Sequence, residues 1–340
     1  MGSGMVTALG FNSAATLAAL RAGISAVAET GWVDYESGER LRAARVELPQ
    51  WWEGIGKLAD LVAPATRECL QVEADSLANV PLLLGVAAAS RPARTPRVDE
   101  DLLDEISDRL GSAIHPRSAL FGGDQTGCAD ALVVAQDLIE RGETRRVIVA
   151  GVDSFLSQAT LNAYIQRRRL MTPSNSNGFF PGEAACAVLV GRAGTSNTAE
   201  LSILGQGYAM ETATIERTDP LRANGLTAAV RQALRTAGIE LKDIAYRLTD
   251  LSGEHYKFKE ALFTAGRLNS ADSQYSLELW HPVEYLGEIG AAILPVLLAQ
   301  ALHAWQEGYA PGPLALCHVG SDSGARAAFV VGVDRREGDC

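Results

Sequence analysis

Two periods of apolar residues run through this chain, one of strands and one of helices, and they alternate. Ser118 to Phe121 is apolar and is followed by Gly122-Gly123, which permits backbone angles closed to other residues. From Thr126 to Arg141 the apolar residues Ala131, Val134, Ala135, Leu138 and Ile139 recur at helical spacing, and Gly142 stops the helix. Arg146 to Gly151 then reads as a buried strand. Upstream, Phe11 to Ala22 predicts a helix begun by Asn12-Ser13. Gly31 to Trp52 is polar and irregular, and Ile55 to Gln71 predicts a helix broken or restarted at Pro64. Val80 to Ala89 is a continuous apolar run, as expected of a strand buried on both faces, and Val98 to Leu110 is an acidic surface helix. Ala184 to Gly191 closes the first half as a strand, and Arg192 to Thr198 is a small, polar joint.

The second half repeats the rhythm. Strands are predicted over Ala199 to Gly207 and Ala245 to Leu251, and helices over Gly225 to Ala237, His255 to Ala265 and Gly287 to Trp305. Two last strands follow, Leu314 to Val319 and Ala327 to Val333. Strands and helices alternating twice over predict a duplicated α/β architecture with buried sheets.

Composition narrows the function. With 340 residues and 47% hydrophobic content the chain is long enough for a large core or two fused halves. A net charge of −11 argues against nucleic acid as a partner. The basic run Arg167-Arg168-Arg169 reads as a solvated or ion-paired helix end. Cys69, Cys128, Cys186, Cys317 and Cys340 show neither CxxC pairs nor a disulfide spacing, which suits a reducing cytoplasm. Cys186 and Cys317, in apolar runs, read as core residues. No signal segment opens the chain, and no run reaches the ~18 apolar residues of a membrane span.

The candidate chemistry lies at the turn between the strand at Ser118 and the helix at Thr126. A side chain at such an elbow sits at the positive end of a helix, a common place for a nucleophile. The residue there is Gln125. Its flanking Asp124 and Asp130 read as helix caps.

These features resemble the thiolase superfamily and, within it, the β-ketoacyl-(acyl-carrier-protein) synthases. The likeness is carried by the strand–elbow–helix–turn–strand unit and by Phe179 with Pro181-Gly182-Glu183-Ala184-Ala185. The opening Gly4-Met5-Val6-Thr7-Ala8-Leu9-Gly10 adds to it. The resemblance implies a thiolase fold with duplicated βαβαβαββ halves in five αβαβα layers. The halves would be 1–193, carrying the elbow, and 199–336. Only Met1 to Gly4 precede the opening motif, so either most of the first strand is missing or the start has been assigned too late. No cofactor or metal is implied.

One helix length back from Gly142, the family's Cys position falls on Gln125, not on Cys128. Aligned on Gly253, the first catalytic His position falls on Ser252, with His255 three residues on. Counting back from Gly290-Ala291-Ala292, the second falls on Gly287, or on Glu288 with a one-residue slip, and His281 lies upstream as a possible substitute. The family's Lys and Glu are matched by Lys259-Glu260. Its Phe-rich gate reads Gly320-Ser321-Asp322-Ser323-Gly324, so that Asp322 stands at the gate, and Phe179 is expected among the pocket residues. A carboxamide cannot be acylated usefully, so condensation is expected to be absent and the protein to act as a binding or assembly partner.

The stretches DLSGEHY and CHVGSDSGAR resemble synthase-like proteins of bacterial type VI secretion gene clusters. The alternative is an acyl-thioester enzyme with changed chemistry, such as a malonyl decarboxylase using Gln125. A third reading keeps Cys128 as nucleophile. The partners implied are a second copy, paired through Arg146 to Gly151 as an edge strand, and another protein or an acyl carrier protein.

Overall fold

The computed structural model describes residues 2–34, 37–50, 52–71, 76–195, 199–268 and 277–333. In chain order the strands are β1 (Ser3–Thr7), β2 (Val27–Val33), β3 (Arg40–Ala44), β4 (Leu82–Val86), β5 (Ala119–Gly122) and β6 (Arg146–Ser154). They continue with β7 (Glu183–Gly191), β8 (Leu201–Met210), β9 (Tyr246–Thr249), β10 (Glu278–Trp280), β11 (Leu314–Gly320) and β12 (Ala325–Val333). The helices are α1 (Ser13–Arg21), α2 (Ile55–Gln71), α3 (Val98–Leu110), α4 (Gly127–Glu140) and α5 (Gln158–Gln166). After the first sheet come α6 (Asn224–Ala237), α7 (His255–Leu268), α8 (Val283–Leu286) and α9 (Ile293–Gln306).

Two five-stranded sheets share one topology, β5-β4-β6-β7-β1 and β10-β9-β11-β12-β8. In each, three strands run parallel and the last two antiparallel. In each, a central helix (α4, then α9) follows the edge strand of the parallel end. The chain is therefore duplicated strand for strand. Helices α4 and α9 lie between the sheets in one core that joins Leu132, Ala135 and Leu138 to Leu294, Leu297 and Phe329. A second core packs α2 and α3 against the outer face of the first sheet, and a third packs α6 against the second. The result is five layers, α/β/α/β/α. Among the described residues no helix is long and apolar enough to cross a membrane.

The centre is tight enough to require glycine. A Cβ on Gly151 of β6 would lie 2.1 Å from the Ala291 carbonyl oxygen, so the first sheet and the turn before α9 meet backbone to backbone.

Several expectations from the pattern need correcting. Pro64 does not break α2, which runs unbroken. Leu58, Leu61, Val62, Ala65 and Cys69 are all buried, and that packing outweighs a lost hydrogen bond and the ~3 kcal/mol cost of an interior proline. The polar stretch after Gly31 is irregular only in part: β2 and β3 form an antiparallel hairpin with Val27 opposite Ala44. Its inward Leu41 and Ala43 pack on Leu161, Tyr164 and Phe179, while Arg40 and Arg42 face solvent. One wet face hid the strand period. The last long helix starts at Ile293, six residues later than expected, because Gly287 and Gly290 take positive φ of 68° and 50°. Val134 is exposed. The first strand is present as β1, paired to β7 from Ser3 opposite Val188 to Thr7 opposite Ala184. Finally, β6 is no edge: it lies between β7 and β4, and the edge strands of its sheet are β5 and β1. The expected joint at Arg192 to Thr198 lies partly outside the described residues, as do residues 334–336 and Cys340.

Candidate functional site

The duplicated topology brings the starts of α4 and α9 together. Strand β5 ends at Gly122, and a single 3-10 turn, Asp124–Thr126, leads into α4. The turn is sharp enough that a Cβ on Gly127 would lie 2.6 Å from the Phe121 carbonyl oxygen. Asp124 holds a left-handed φ of 50°, a strained conformation for a residue with a side chain. Its carboxylate fixes it there, accepting from the Ala88 N–H at 2.9 Å and pairing with Arg91 at 2.6 Å.

Gln125 follows, buried, and its Nε2 donates to Glu288 Oε1 at 3.2 Å. Glu288 arrives from the turn before α9. Its backbone is held by Phe180 (Glu288 N–H to the carbonyl, 2.7 Å) and Gly182 (N–H to the Glu288 carbonyl, 3.0 Å). Its carboxylate also accepts from the Gly290 N–H at 3.0 Å and lies 3.5 Å from Lys257 Nζ. Lys257 in turn pairs with Asp250 at 3.0 Å.

Two arginines complete the lattice. Arg91 bonds Asp153 at the end of β6 at 2.6 Å, and Asp153 also accepts from the Ala291 N–H at 3.0 Å. Arg169 bridges the halves, with two bonds to Glu254 at 2.7 and 2.8 Å and a pair to Asp322. Both guanidiniums lie over aromatic rings, Arg91 at 4.2 Å from the Phe155 centroid and Arg169 at 5.7 Å from that of Phe179. The void left beside Gln125 is about 10 Å³, lined by Arg91, Asp124, Arg169, Glu288 and Asp322 with the aromatic rings of Phe155, Tyr164 and Phe179.

Burial raises Glu288 above the ordinary carboxylate range, and Lys257 only partly offsets it. Asp124 is likewise raised by burial, against the pull of Arg91. Burial also works on Asp322, but there Arg169 wins and holds the carboxyl below its usual value. Lys257 stays charged although burial opposes it, because Asp250 and Glu288 are close. The arrangement holds charge in place. Among the described residues lining the void there is no Cys, Ser or His.

The structure thus gathers Gln125, Phe179, Glu288 and Asp322 from the expected set. Gly287 supplies only backbone: a Cβ there would lie 2.9 Å from the Pro181 carbonyl oxygen, so Glu288 is the residue that reaches Gln125. Ser252 is buried with its hydroxyl unpartnered and does not line the void. His255 is exposed at the start of α7, its N–H bonded to Asn177. Lys259 is exposed too, and Lys257 occupies the interior place. Glu260 is buried against Arg326 at 2.9 Å. His281 is partly buried beside Glu284, edge-on to Phe258.

Cys128 lies fully buried under the elbow, its thiol directed at the Ala150 and Ala291 carbonyls at 3.2 Å and pushed up to about 12 by burial. It is no nucleophile in this setting. Asp124 is an ion-pair member and not a cap. Arg91, Asp153, Asp250, Glu254 and Lys257 are site residues that the sequence pattern did not single out, while Arg169, expected at a solvated or ion-paired helix end, is ion-paired but lies inside the site. A helical wheel on α7 would have found one: Lys257, Glu260, Ala261 and Thr264 share its inner face.

No family model and no curated protein matches the chain. Solved structures do match it over nearly its whole length. The ishigamide ketosynthase/chain length factor is 19% identical with a TM-score of 0.71, covering 98% of both chains. The ketosynthase ApeO in complex with its chain length factor ApeC, from Xenorhabdus doucetiae, is 16% identical with a TM-score of 0.73, covering 98% of this chain and 96% of that one. The ketosynthase from module 6 of the bacillaene synthase of Bacillus subtilis 168 is 13% identical with a TM-score of 0.78, covering 98% of this chain and 72% of that one. At such identities the likeness establishes the fold, a duplicated five-layer thiolase fold. More particularly, it is the thiolase fold as ketosynthases build it.

Proposed function

We propose that this chain is a ketosynthase-like protein that has lost condensing activity and acts as a binding or assembly partner. The observation that carries this reading is the closed pocket. Where an acyl chain would have to lie, about 10 Å³ remains, and its walls are ion pairs that would have to be broken to admit an apolar tail. Gln125 cannot take an acyl group, and the carboxylate of Glu288 beside it would repel a developing enolate. The pairing of ApeO with ApeC supports a role in which one ketosynthase fold serves another.

The same reading includes a homodimer, now through the edge strand β5, whose outer backbone groups have no strand beside them in the sheet. An acyl carrier protein or another protein remains the further partner. The short motifs around Ser252 and Asp322 favour a place in bacterial type VI secretion, and the free, buried Cys69, Cys128, Cys186 and Cys317 suit a cytoplasm.

The test is to restore the nucleophile. Gln125→Cys supplied with acyl and malonyl carrier protein is expected to give neither an acyl adduct by intact mass nor a condensation product. Turnover by that single variant would overturn the reading. For the dimer, light scattering at micromolar concentration is expected to give twice the 36.0 kDa chain mass. A monomer would remove the homodimer from the proposal.

A further inference from the structure

The two outer layers of the molecule carry opposite charge. Over the second sheet lie α6 and α7, tied together by Thr227 with Thr264 at 3.3 Å and by Arg267 with Asn224 at 2.8 Å. Neither helix exposes a carboxylate: α6 has none, and the single one of α7, Glu260, is buried against Arg326. Arg231 and Arg235 are exposed one turn apart on α6, and Lys259 is exposed on α7. None of the three has an ion pair among the described residues. Beside Lys259, α7 exposes Phe258, Leu262 and Phe263, with Leu262 69% exposed.

Over the first sheet the opposite holds. Every exposed side chain on α3 is acidic, and Glu100, Asp104 and Asp108 recur every fourth residue as one stripe. Nearby arginines neutralise the acids beside them, Arg94 with Asp99, Arg97 with Asp101 and Arg109 with Glu105. The three of the stripe have no ion pair among the described residues. Trp52, hydrogen-bonded to Asp60 of α2, is exposed on the same layer.

These faces lie on opposite sides of the five layers, so one copy cannot join them, but two copies can. Helix α3 is ~20 Å long and α6 and α7 are ~21 Å, so stripe and face match in length. We propose that copies of this chain stack head to tail, the α6–α7 face of one on the α3 face of the next. Such a contact is heterologous and does not close on itself, so copies add into an open stack. A face of about 20 by 20 Å buries on the order of 800 Å² in total, which makes the contact weak. Around α7 the order is Leu262, Lys259, Phe263, whereas a helix lying in a membrane segregates its charges from its apolar face.

A net charge of −11 makes copies repel at long range. About 0.1 M salt, with a Debye length of ~10 Å, screens that repulsion across the molecule and spares direct contacts. Small-angle X-ray scattering of the full chain at this salt is therefore expected to show forward scattering per unit mass rising about twofold from dilute solution to about 0.5 mM, and no rise in about 1 M salt. Arg231→Glu with Arg235→Glu should abolish the rise, and so, separately, should Asp104→Arg with Asp108→Arg. Neither pair should shift the melting temperature, because all four positions are exposed. An equal mixture of the two doubly substituted chains should recover the rise, since each then offers the charge that the other lacks. Pairing through β5 only sets the starting mass, so the homodimer and the stack fail separately.

Scattering independent of concentration in the unaltered chain, or a mixture that stays unassociated, would overturn the proposal. A rise that saturates at twice the starting mass would mean a closed contact and overturn the stack. Flotation with vesicles of phosphatidylcholine and phosphatidylserine, lost in Arg231→Glu with Arg235→Glu, would assign the face to a membrane instead.

Discussion

The two halves of this protein have the same strand order and each sends a central helix into the shared middle layer, yet they bring different things to the site. The first half contributes a glycine-built elbow with Gln125 at its tip. The second contributes a turn held open by Gly287 and Gly290, with Glu288 at its tip. Both helices are entered through a 3-10 turn packed close against backbone, and the side chains on these turns belong to a lattice of ion pairs. Close backbone packing tolerates little change, whereas side chains around a pocket can vary if every buried charge is matched.

The largest effect should come from breaking the backbone contact between the halves. Gly151→Val is expected to leave no folded chain, read as loss of the near-ultraviolet dichroism, because its Cβ would meet the Ala291 carbonyl at 2.1 Å. Gly191→Ala, in the next strand of the same sheet, meets the Arg145 carbonyl oxygen only at 3.5 Å and should change stability by about 0.5 kcal/mol at most.

Next in size is the charge lattice. Arg91→Met leaves Asp124 and Asp153 buried without their cation, for an expected loss of about 3–5 kcal/mol in urea unfolding. Arg169→Met should cost less, since Asp322 is about 35% exposed and regains water.

The titration of the site is expected to be smaller and to have a definite sign. A carboxyl raised in the folded state, as Glu288 and Asp124 are, stabilises below its unfolded pKa and loses that contribution as pH rises through the folded value. A carboxyl that is lowered, as Asp322 is, stabilises above its unfolded pKa and loses this as pH falls through the folded value. Glu288→Gln should therefore flatten the decline in stability from the ordinary carboxylate range towards neutrality and leave the acid limb of Asp322 in place. Unfolding free energies measured across that window decide it. At the elbow tip the change is smallest among the site residues: Gln125→Leu removes one hydrogen bond, and Glu288 keeps Gly290 and Lys257, so about 1 kcal/mol is expected.

Much of this was legible in the sequence and some was not, for physical reasons. Two-faced burial wrote β4 and β6 as unbroken apolar runs, and α4 showed its helical spacing. The β2–β3 hairpin, with one wet face, was hidden. At the site, residues next to close-packed glycine turns were placed from motifs: Gln125, Phe179, Asp322 and, by a one-residue slip, Glu288. The partners of the lattice left no local pattern, because ion pairs form between distant segments, as Arg169 does with Asp322 across 153 positions. Lys259 was matched to the family's Lys by its adjacency to Glu260, whereas the α7 wheel turns Lys259 to solvent and Lys257 inward.

The most direct measurement of the central claim is carbon dioxide release from a malonyl thioester. Decarboxylation at a Gln elbow needs donors for the enolate, each typically contributing ~3 kcal/mol, and here the group hydrogen-bonded to the Gln125 amide is the carboxylate of Glu288, at 3.2 Å. The expected result is release no faster than the uncatalysed background, unchanged in Gln125→Ala. Release that depends on the protein and disappears in Gln125→Ala would contradict the loss of chemistry and make this chain a decarboxylase.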